Sequence, residues 1–326
     1  MHFRASRRGT RRYHPRACHD DPQCGEDLSR MKKVGVIGLG VMGLAMAQNL
    51  MRAGFVVHGY DIDATRKKMF KAVRGTVCRS VEDLAASVDV LVSSLPSTPA
   101  LMSVCRSLAE TEPRKLVLIE TSTLPIQEKM AARRLLSPAR MVMLDCPLSG
   151  TGSQAQTKDL VVYASGPHAA FKQVRGVLDG FSRAQFYLGA FGNGMKLKMV
   201  ANYLVAIHNA ATAEALILAE RAHLNLDLVL AAIGDSAGQS KMWQIRGPRM
   251  AAEDYSPMMS MHLWQKDMGI ISDFVKDAGA PSPVFDQARA IYTLAYQAGH
   301  GDRDSAVIHH FLKSLPHGAF LAKPEV

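Results

Sequence analysis

The chain has 326 residues, 48% of them hydrophobic and 21% charged, a globular balance that excludes a wholly disordered or collagen-like polypeptide. At roughly 100–200 residues per domain, this length predicts two domains. The formal net charge is +10, of which seven arginines against four acids place +3 in residues 1–30. The remaining +7 is spread without a Lys/Arg block, which suits anionic substrates and phosphate-bearing cofactors and is only a weak sign of nucleic acid, which is not expected as a partner.

Five cysteines (Cys18, Cys24, Cys78, Cys105, Cys146) are an odd number without a CxxC pair. No disulfide framework and no metal site is expected, and a reducing, cytoplasmic setting fits best. The most apolar stretch, residues 200–219, carries Asn202, His208, Asn209 and Glu214, so it reads as a buried helix and no membrane span is expected.

Residues 1–30 are rich in Arg and His, broken by Gly9 and Pro15, and lack apolar periodicity. They are expected to form a disordered tail. A mitochondrial location would follow only if they were a transit peptide, which the acids from Asp20 to Asp27 oppose.

Lys33-Val34-Gly35-Val36-Ile37 has the apolar character of a buried parallel strand. It runs into Gly38-Leu39-Gly40-Val41-Met42-Gly43, a G-x-G-x-x-G turn, and then into Leu44, Ala47, Leu50 and Met51 at helical spacing. Gly38 permits the tight turn, Gly40 lets a pyrophosphate approach the backbone, and Gly43 lets the helix pack on the strand. The second strand, residues 55–60, ends at Asp61, 23 positions after Gly38 and close to the spacing of the acid that grips an adenosine ribose. A carboxylate there favours NAD over NADP. Arg66 and Lys67 follow and leave NADP possible.

Further strands are predicted over 89–95, 115–120, 141–145 and 160–164, with helical stretches between most of them. This succession predicts an α/β fold, a Rossmann-type doubly wound and mostly parallel sheet spanning residues 31–190. Its ligands should gather at the strand C-terminal ends, at residues 94–96, 121–123 and 146–150.

Beyond Gly189 strand signals stop. A long helix is predicted from Met195 to about Ala222, apolar on most faces, joining the sheet to an all-α domain over 191–326. Further helices are expected near 226–234, 265–279 and 284–298, punctuated by Pro248, Pro257, Pro281 and Pro283. The apolar length of the first helix calls for more cover than one small domain offers, so a homodimer or homotetramer is expected. Lys198 and Asn202 share one face of this helix, and burial among Leu197, Met199 and Val200 would draw the lysine toward general acid/base use. Lys196 and Lys198 point differently, so one of them faces inward. A surface lysine is the competing reading from spacing alone.

Together these motifs resemble the β-hydroxyacid dehydrogenase family, which includes 3-hydroxyisobutyrate dehydrogenase. The resemblance covers residues 31 to about 315. It rests on the glycine turn, Leu95-Pro96, Ser122-Thr123, Asp145-Cys146-Pro147-Leu148-Ser149-Gly150, Gly192-x-Gly194-x-x-x-Lys198-x-x-x-Asn202 and Lys266-Asp267. It implies an NAD(P)-dependent oxidoreductase that moves hydride between nicotinamide and the alcohol or aldehyde carbon of a small anionic hydroxyacid or semialdehyde.

The resemblance further implies Lys198 as acid/base and Asn202 as the group holding the reacting oxygen. Ser149 and Gly150 match the substrate-carboxylate cradle, while Leu95, Pro96, Thr123 and Lys266 match the nicotinamide side. Thr151 stands where the family usually has a second glycine and is expected to narrow the substrate pocket or add a hydrogen bond. Ala201 replaces the first of two adjacent asparagines common in hydroxyisobutyrate enzymes, and residues 235–257 and 304–308 look more like the threonate branch.

A 3-hydroxyisobutyrate dehydrogenase-like activity is the main reading. Tartronate semialdehyde (2-hydroxy-3-oxopropionate) reductase and a threonate-type sugar-acid dehydrogenase are the alternatives. Phosphogluconate dehydrogenase has a longer all-α domain, and imine-reducing members usually lack the lysine. A non-catalytic NAD-binding or chromatin-associated module is the competing class, opposed by intact Lys198 and Asn202. Trp243 and Trp264, with Met242, Met258, Met259 and Met261, are expected to pack the helical part, and His309 and His310 to lie on an exposed helix. Cys146 has no evident base and is not expected to act as a nucleophile.

Overall fold

The computed structural model describes residues 33–316, so the tail expected over 1–30 lies outside the described residues. Six strands, β1 (Lys33–Ile37), β2 (Val56–Tyr60), β3 (Thr76–Val77), β4 (Val90–Ser93), β5 (Val117–Glu120) and β6 (Val142–Asp145), form a parallel sheet in the order β3-β2-β1-β4-β5-β6. Helices α1 (Val41–Arg52), α2 (Ala64–Ala72), α3 (Val81–Ser87), α4 (Thr98–Ala109) and α5 (Ile126–Leu135) connect them. Every residue of β4 and β5 is buried, as a parallel sheet covered on both faces requires. Val90 and Val92 enter the core on one face while Leu91 enters the core on the other, the period of two that a strand imposes. Strand order reverses between β1 and β4, the switch point beyond whose strand C-terminal ends open parallel sheets bind their ligands.

The strand predicted over 160–164 forms, but outside this sheet. β7 (Leu148–Ser149), β8 (Val161–Ala164) and β9 (Ala184–Tyr187) build a separate three-stranded sheet, with β7 antiparallel to β8 and β8 parallel to β9. An isolated bridge between Asp145 and Ser165 ties it to the end of β6. Helix α6 (Gly152–Gln156) has only five residues, too few to carry the chain across a sheet face, so the chain doubles back at β7. Helix α7 (His168–Phe181) joins β8 to β9 and covers the large sheet through Val174, Val177, Leu178 and Phe181.

Six helices follow: α8 (Asn193–Arg221), α9 (Leu226–Gly234), α10 (Lys241–Ala251), α11 (Met261–Asp277), α12 (Pro283–Gln297) and α13 (Ile308–Lys313). Helix α10 runs through Pro248, expected from sequence to be a break. Ser240 caps its start by accepting from the Trp243 N–H, and Pro248, inside the helix, removes one intrahelical donor without ending it. Pro283 opens α12 instead of interrupting it. Trp243 and Trp264 lie in the helical core, where Trp264 meets the Tyr292 ring edge-on at 5.8 Å.

His309 corrects the expectation of an exposed pair. It is fully buried with Nδ1 2.9 Å from the Tyr255 hydroxyl, and burial lowers its pKa, whereas His310 is exposed. Adjacent helical residues point about 100° apart, so docking α13 on α8 turns one of the two inward. No helix of the described residues is long and apolar enough to cross a membrane.

Candidate active site

The glycine turn is shaped by two different demands. Gly38 has φ +88°, and a Cβ there would collide with the Ser94 carbonyl; a Cβ on Gly43 would collide with the Gly38 carbonyl. These two glycines serve the chain's own packing. Gly40 does not: its φ is −68°, and the nearest neighbour of an added Cβ is Arg66 Nη1 at 3.6 Å. The space over Gly40 is thus open to a ligand. Helix α1 begins there with no side-chain cap and no acid in its first turn, leaving its N–H groups and positive dipole end for an anion. These residues fit a dinucleotide's pyrophosphate. Val41 is exposed beside them, Met42 half-buried, and Leu39 buried.

Asp61 sits at the end of β2 and is only 4% exposed. Its Oδ2 accepts from the Leu39 N–H at 2.7 Å and its Oδ1 from the Asp63 N–H at 2.9 Å, so it anchors the glycine turn. Arg66 Nη1 lies 3.6 Å from Asp61 Oδ2, while Lys67 turns away over the Tyr60 ring. Of the two basic residues that follow Asp61, only Arg66 is thus brought to the turn.

At the ends of β4 and β5, the Leu95 N–H donates to Ser122 Oγ at 2.8 Å. Lys266 Nζ, on α11, donates to the Thr123 carbonyl at 2.9 Å, bringing the helical half onto this loop. Leu95, Thr123 and Lys266 are half-buried and Pro96 is exposed.

Helix α8 turns Lys198 and Asn202 inward, with 8% and 5% exposure, and leaves Lys196 outside. Burial brings the Lys198 pKa down to about 8; the Asp267 carboxylate works against that and the Lys266 charge with it. Asn202 Nδ2 donates to Asp267 Oδ2 at 3.3 Å, and Lys266 Nζ stands 3.3 Å from Asp267 Oδ1. Burial raises the Asp267 pKa, opposed by Lys266 and Lys198. Asp267 is therefore the hub of the lysine–asparagine pair. The Lys266-Asp267 dipeptide was legible in the sequence, but only its lysine carried a role there.

Ser149 closes β7 opposite Val161, and Gly150 follows with φ +136°. Thr151 follows and is tied into its own loop. Its N–H donates to Gln154 Oε1 at 3.0 Å and its hydroxyl lies 3.0 Å from Ser153 Oγ, so it is engaged in the first turn of α6. A Cβ on Gly152 would meet Val41 Cγ1 at 2.6 Å, which places this loop directly on the start of α1. Helix α8 packs on β6, β7 and β8, setting Lys198's helix against the same cradle. Cys146 is fully buried, and burial pushes its thiol well above the ordinary value, which disfavours the thiolate.

Sequence reasoning passed over one further group. Lys129 Nζ lies 2.6 Å from Glu120 Oε2 and 2.8 Å from Asp145 Oδ1, and all three side chains are fully buried. Lys129 sits in α5 among charged neighbours and reads as a surface residue until the sheet ends are in place.

Residues 33–189 match a family model described as the NAD binding domain of 6-phosphogluconate dehydrogenase, and residues 192–311 one described as NAD-binding of NADP-dependent 3-hydroxyisobutyrate dehydrogenase. An L-threonate dehydrogenase of Cupriavidus necator is 34% identical over 286 residues, covering 86% of this chain and 96% of the relative. A probable 3-hydroxyisobutyrate dehydrogenase of Mycobacterium tuberculosis is 32% identical, covering 86% and 97%. Among solved structures, the Mycobacterium tuberculosis 3-hydroxyisobutyrate dehydrogenase with L-serine superposes with a TM-score of 0.79 at 29% identity, covering 87% of this chain and all of that one.

Proposed function

Because the chain belongs to the β-hydroxyacid dehydrogenase family of NAD(P)-dependent oxidoreductases, we propose that Lys198 is its acid/base and that Asn202 holds the reacting oxygen. The observation that carries this reading is the buried Lys198 ammonium, whose pKa of about 8 lets it exchange a proton near neutrality. When bound, the nicotinamide supplies the hydride acceptor or donor. In oxidation, neutral Lys198 takes the hydroxyl proton as hydride leaves the carbinol carbon; in reduction, the ammonium returns it. Ser149 Oγ and the Gly150 N–H orient the substrate carboxylate, with positive charge from Lys266 at the opposite wall. Gly38 to Gly43 and Asp61 hold the dinucleotide, with Leu95, Pro96 and Thr123 beside the nicotinamide.

For the substrate, a threonate-type four-carbon sugar acid comes first, supported by L-threonate dehydrogenase relatives at 34% and 31% identity. The polar cluster of Asn202, Asp267 and Lys266 also offers partners for extra hydroxyls. 3-Hydroxyisobutyrate comes second, supported by the mycobacterial relative. Reduction of NAD or NADP, followed by nicotinamide absorbance with L-threonate, 3-hydroxyisobutyrate and glycerate, tests the order. Turnover of 3-hydroxyisobutyrate alone would reverse it.

The same reading divides the chain near residue 190 and places it in the cytoplasm as a homodimer or homotetramer. Val200, Leu204 and Leu218 on α8 are 49%, 46% and 71% exposed and are the surface a second copy would cover.

A further inference from the structure

We propose that Lys129, by bridging Glu120 and Asp145 inside the protein, is a positioning residue that sets the helix bearing Lys198 against the loop on the nicotinamide side. The inference rests on the reading of Lys198 as acid/base.

The argument starts at the beginning of α8. Its first-turn N–H groups need acceptors, and its N-cap is Gly192, which has no side chain to offer one. The caps come from elsewhere in the chain: the Gly194 N–H donates to Ser165 Oγ at 2.9 Å and the Met195 N–H to Asp145 Oδ2 at 2.9 Å. Ser165 Oγ in turn donates to Asp145 Oδ2 at 3.0 Å. Gly194 allows this approach, since a Cβ there would collide with the Tyr163 carbonyl and come within 3.0 Å of Asp145 Oδ2. Met195 precedes Lys198 by three residues, less than one helical turn, so whatever fixes its N–H fixes the root of Lys198.

An interior carboxylate needs a countercharge. Lys129 provides it for Asp145 and Glu120 together, and the remaining negative charge faces the positive end of the α8 dipole. Burial by itself would strip the Lys129 proton, but the two carboxylates outweigh it and raise the pKa. Glu120 carries the connection to the other wall. Its Oε1 accepts from the Ser122 N–H at 2.9 Å, and Ser122 Oγ accepts from the Leu95 N–H at 2.8 Å. One ammonium therefore joins the start of the Lys198 helix to the Leu95–Ser122 loop.

Lys129→Met keeps an unbranched side chain, one atom shorter, and removes the charge. Amide exchange across residues 193–199, read by mass spectrometry on the intact protein, should accelerate while α11 and α12 keep their protection. With the acid that turns over best, L-threonate or 3-hydroxyisobutyrate, kcat should fall about tenfold or more with little change in KM, since small misplacement of reacting groups carries large rate penalties. In a Lys198→Ala background the same substitution should add almost nothing.

Unchanged exchange at 193–199, or lowered stability with kcat retained, would overturn the proposal. Should Lys129→Met fail to fold, Ser165→Ala removes one cap while leaving all three charges of the ion cluster in place, and must give the same exchange signature and kcat loss on a smaller scale. Lys198→Ala alone reports on the acid/base assignment: full turnover there would remove that reading while the exchange data still decide the positioning.

Discussion

Asn202 and Asp267 are joined by a 3.3 Å hydrogen bond from Nδ2 to Oδ2, across 65 residues and between α8 and α11. The bond engages Asn202 Nδ2 and leaves its side-chain oxygen free, one helical turn from Lys198, on the face proposed to receive substrate. It also sets a carboxylate where it opposes the burial that draws the Lys198 proton away.

The pH dependence follows from that balance. Oxidation needs the neutral amine, so kcat/KM for the alcohol should rise with pH and level off above about 8; reduction needs the ammonium and should fall through the same region. Asp267→Asn removes the charge that raises the Lys198 pKa, and the oxidative limb should move to lower pH. Initial rates in both directions across the range measure this, and profiles that stay superimposed would remove Asp267 from the electrostatics of the site.

Lys198 should also carry a stability penalty. A folded pKa of about 8 against 10.5 means that the unfolded chain binds the proton more tightly. Stability therefore rises with pH between those values, and below about 8 the penalty is complete. Lys198→Met should then raise stability near neutral pH by up to about 3 kcal/mol while lowering turnover about a hundredfold or more. Denaturant unfolding at neutral and alkaline pH checks the sign, since the gain must shrink as pH rises.

The glycine turn separates fold from ligand. Gly40→Ala keeps an accessible φ and meets no backbone, so the ligand-free protein should hold its stability or gain about 0.4–1 kcal/mol. Dinucleotide affinity, measured by calorimetry, should fall sharply. Gly43→Ala faces the Gly38 carbonyl and should instead destabilise the protein. Equal effects of the two substitutions on folding would contradict this division.

Asp61 needs a gentler substitution than removal, because it holds the Leu39 N–H. Asp61→Asn keeps an acceptor oxygen there and weakens the hold on ribose hydroxyls. The preference for NAD over NADP should drop about tenfold or more, read as the ratio of kcat/KM values. Asp61→Ala should cost stability as well, and an Asn variant with unchanged preference would show that the acid serves the turn alone.

The order of motifs, the two halves of different character and the shared helix face of Lys198 and Asn202 were all present in the residues themselves. They depend on short-range physics: glycines where a Cβ has no room, a strand period of two, and a helix that brings residues four apart onto one face. The tertiary structure decided what joins distant residues. The strand at Val161–Ala164 leaves the large sheet because its connection is too short to cross. His309 is buried because α13 packs on α8. Lys266 reaches the Thr123 carbonyl across 143 residues, and Lys129 meets Glu120 and Asp145 only where two strand ends and a helix converge. A charged residue on a helix has no local signature of burial; its partners exist only once the chain has brought their strands side by side.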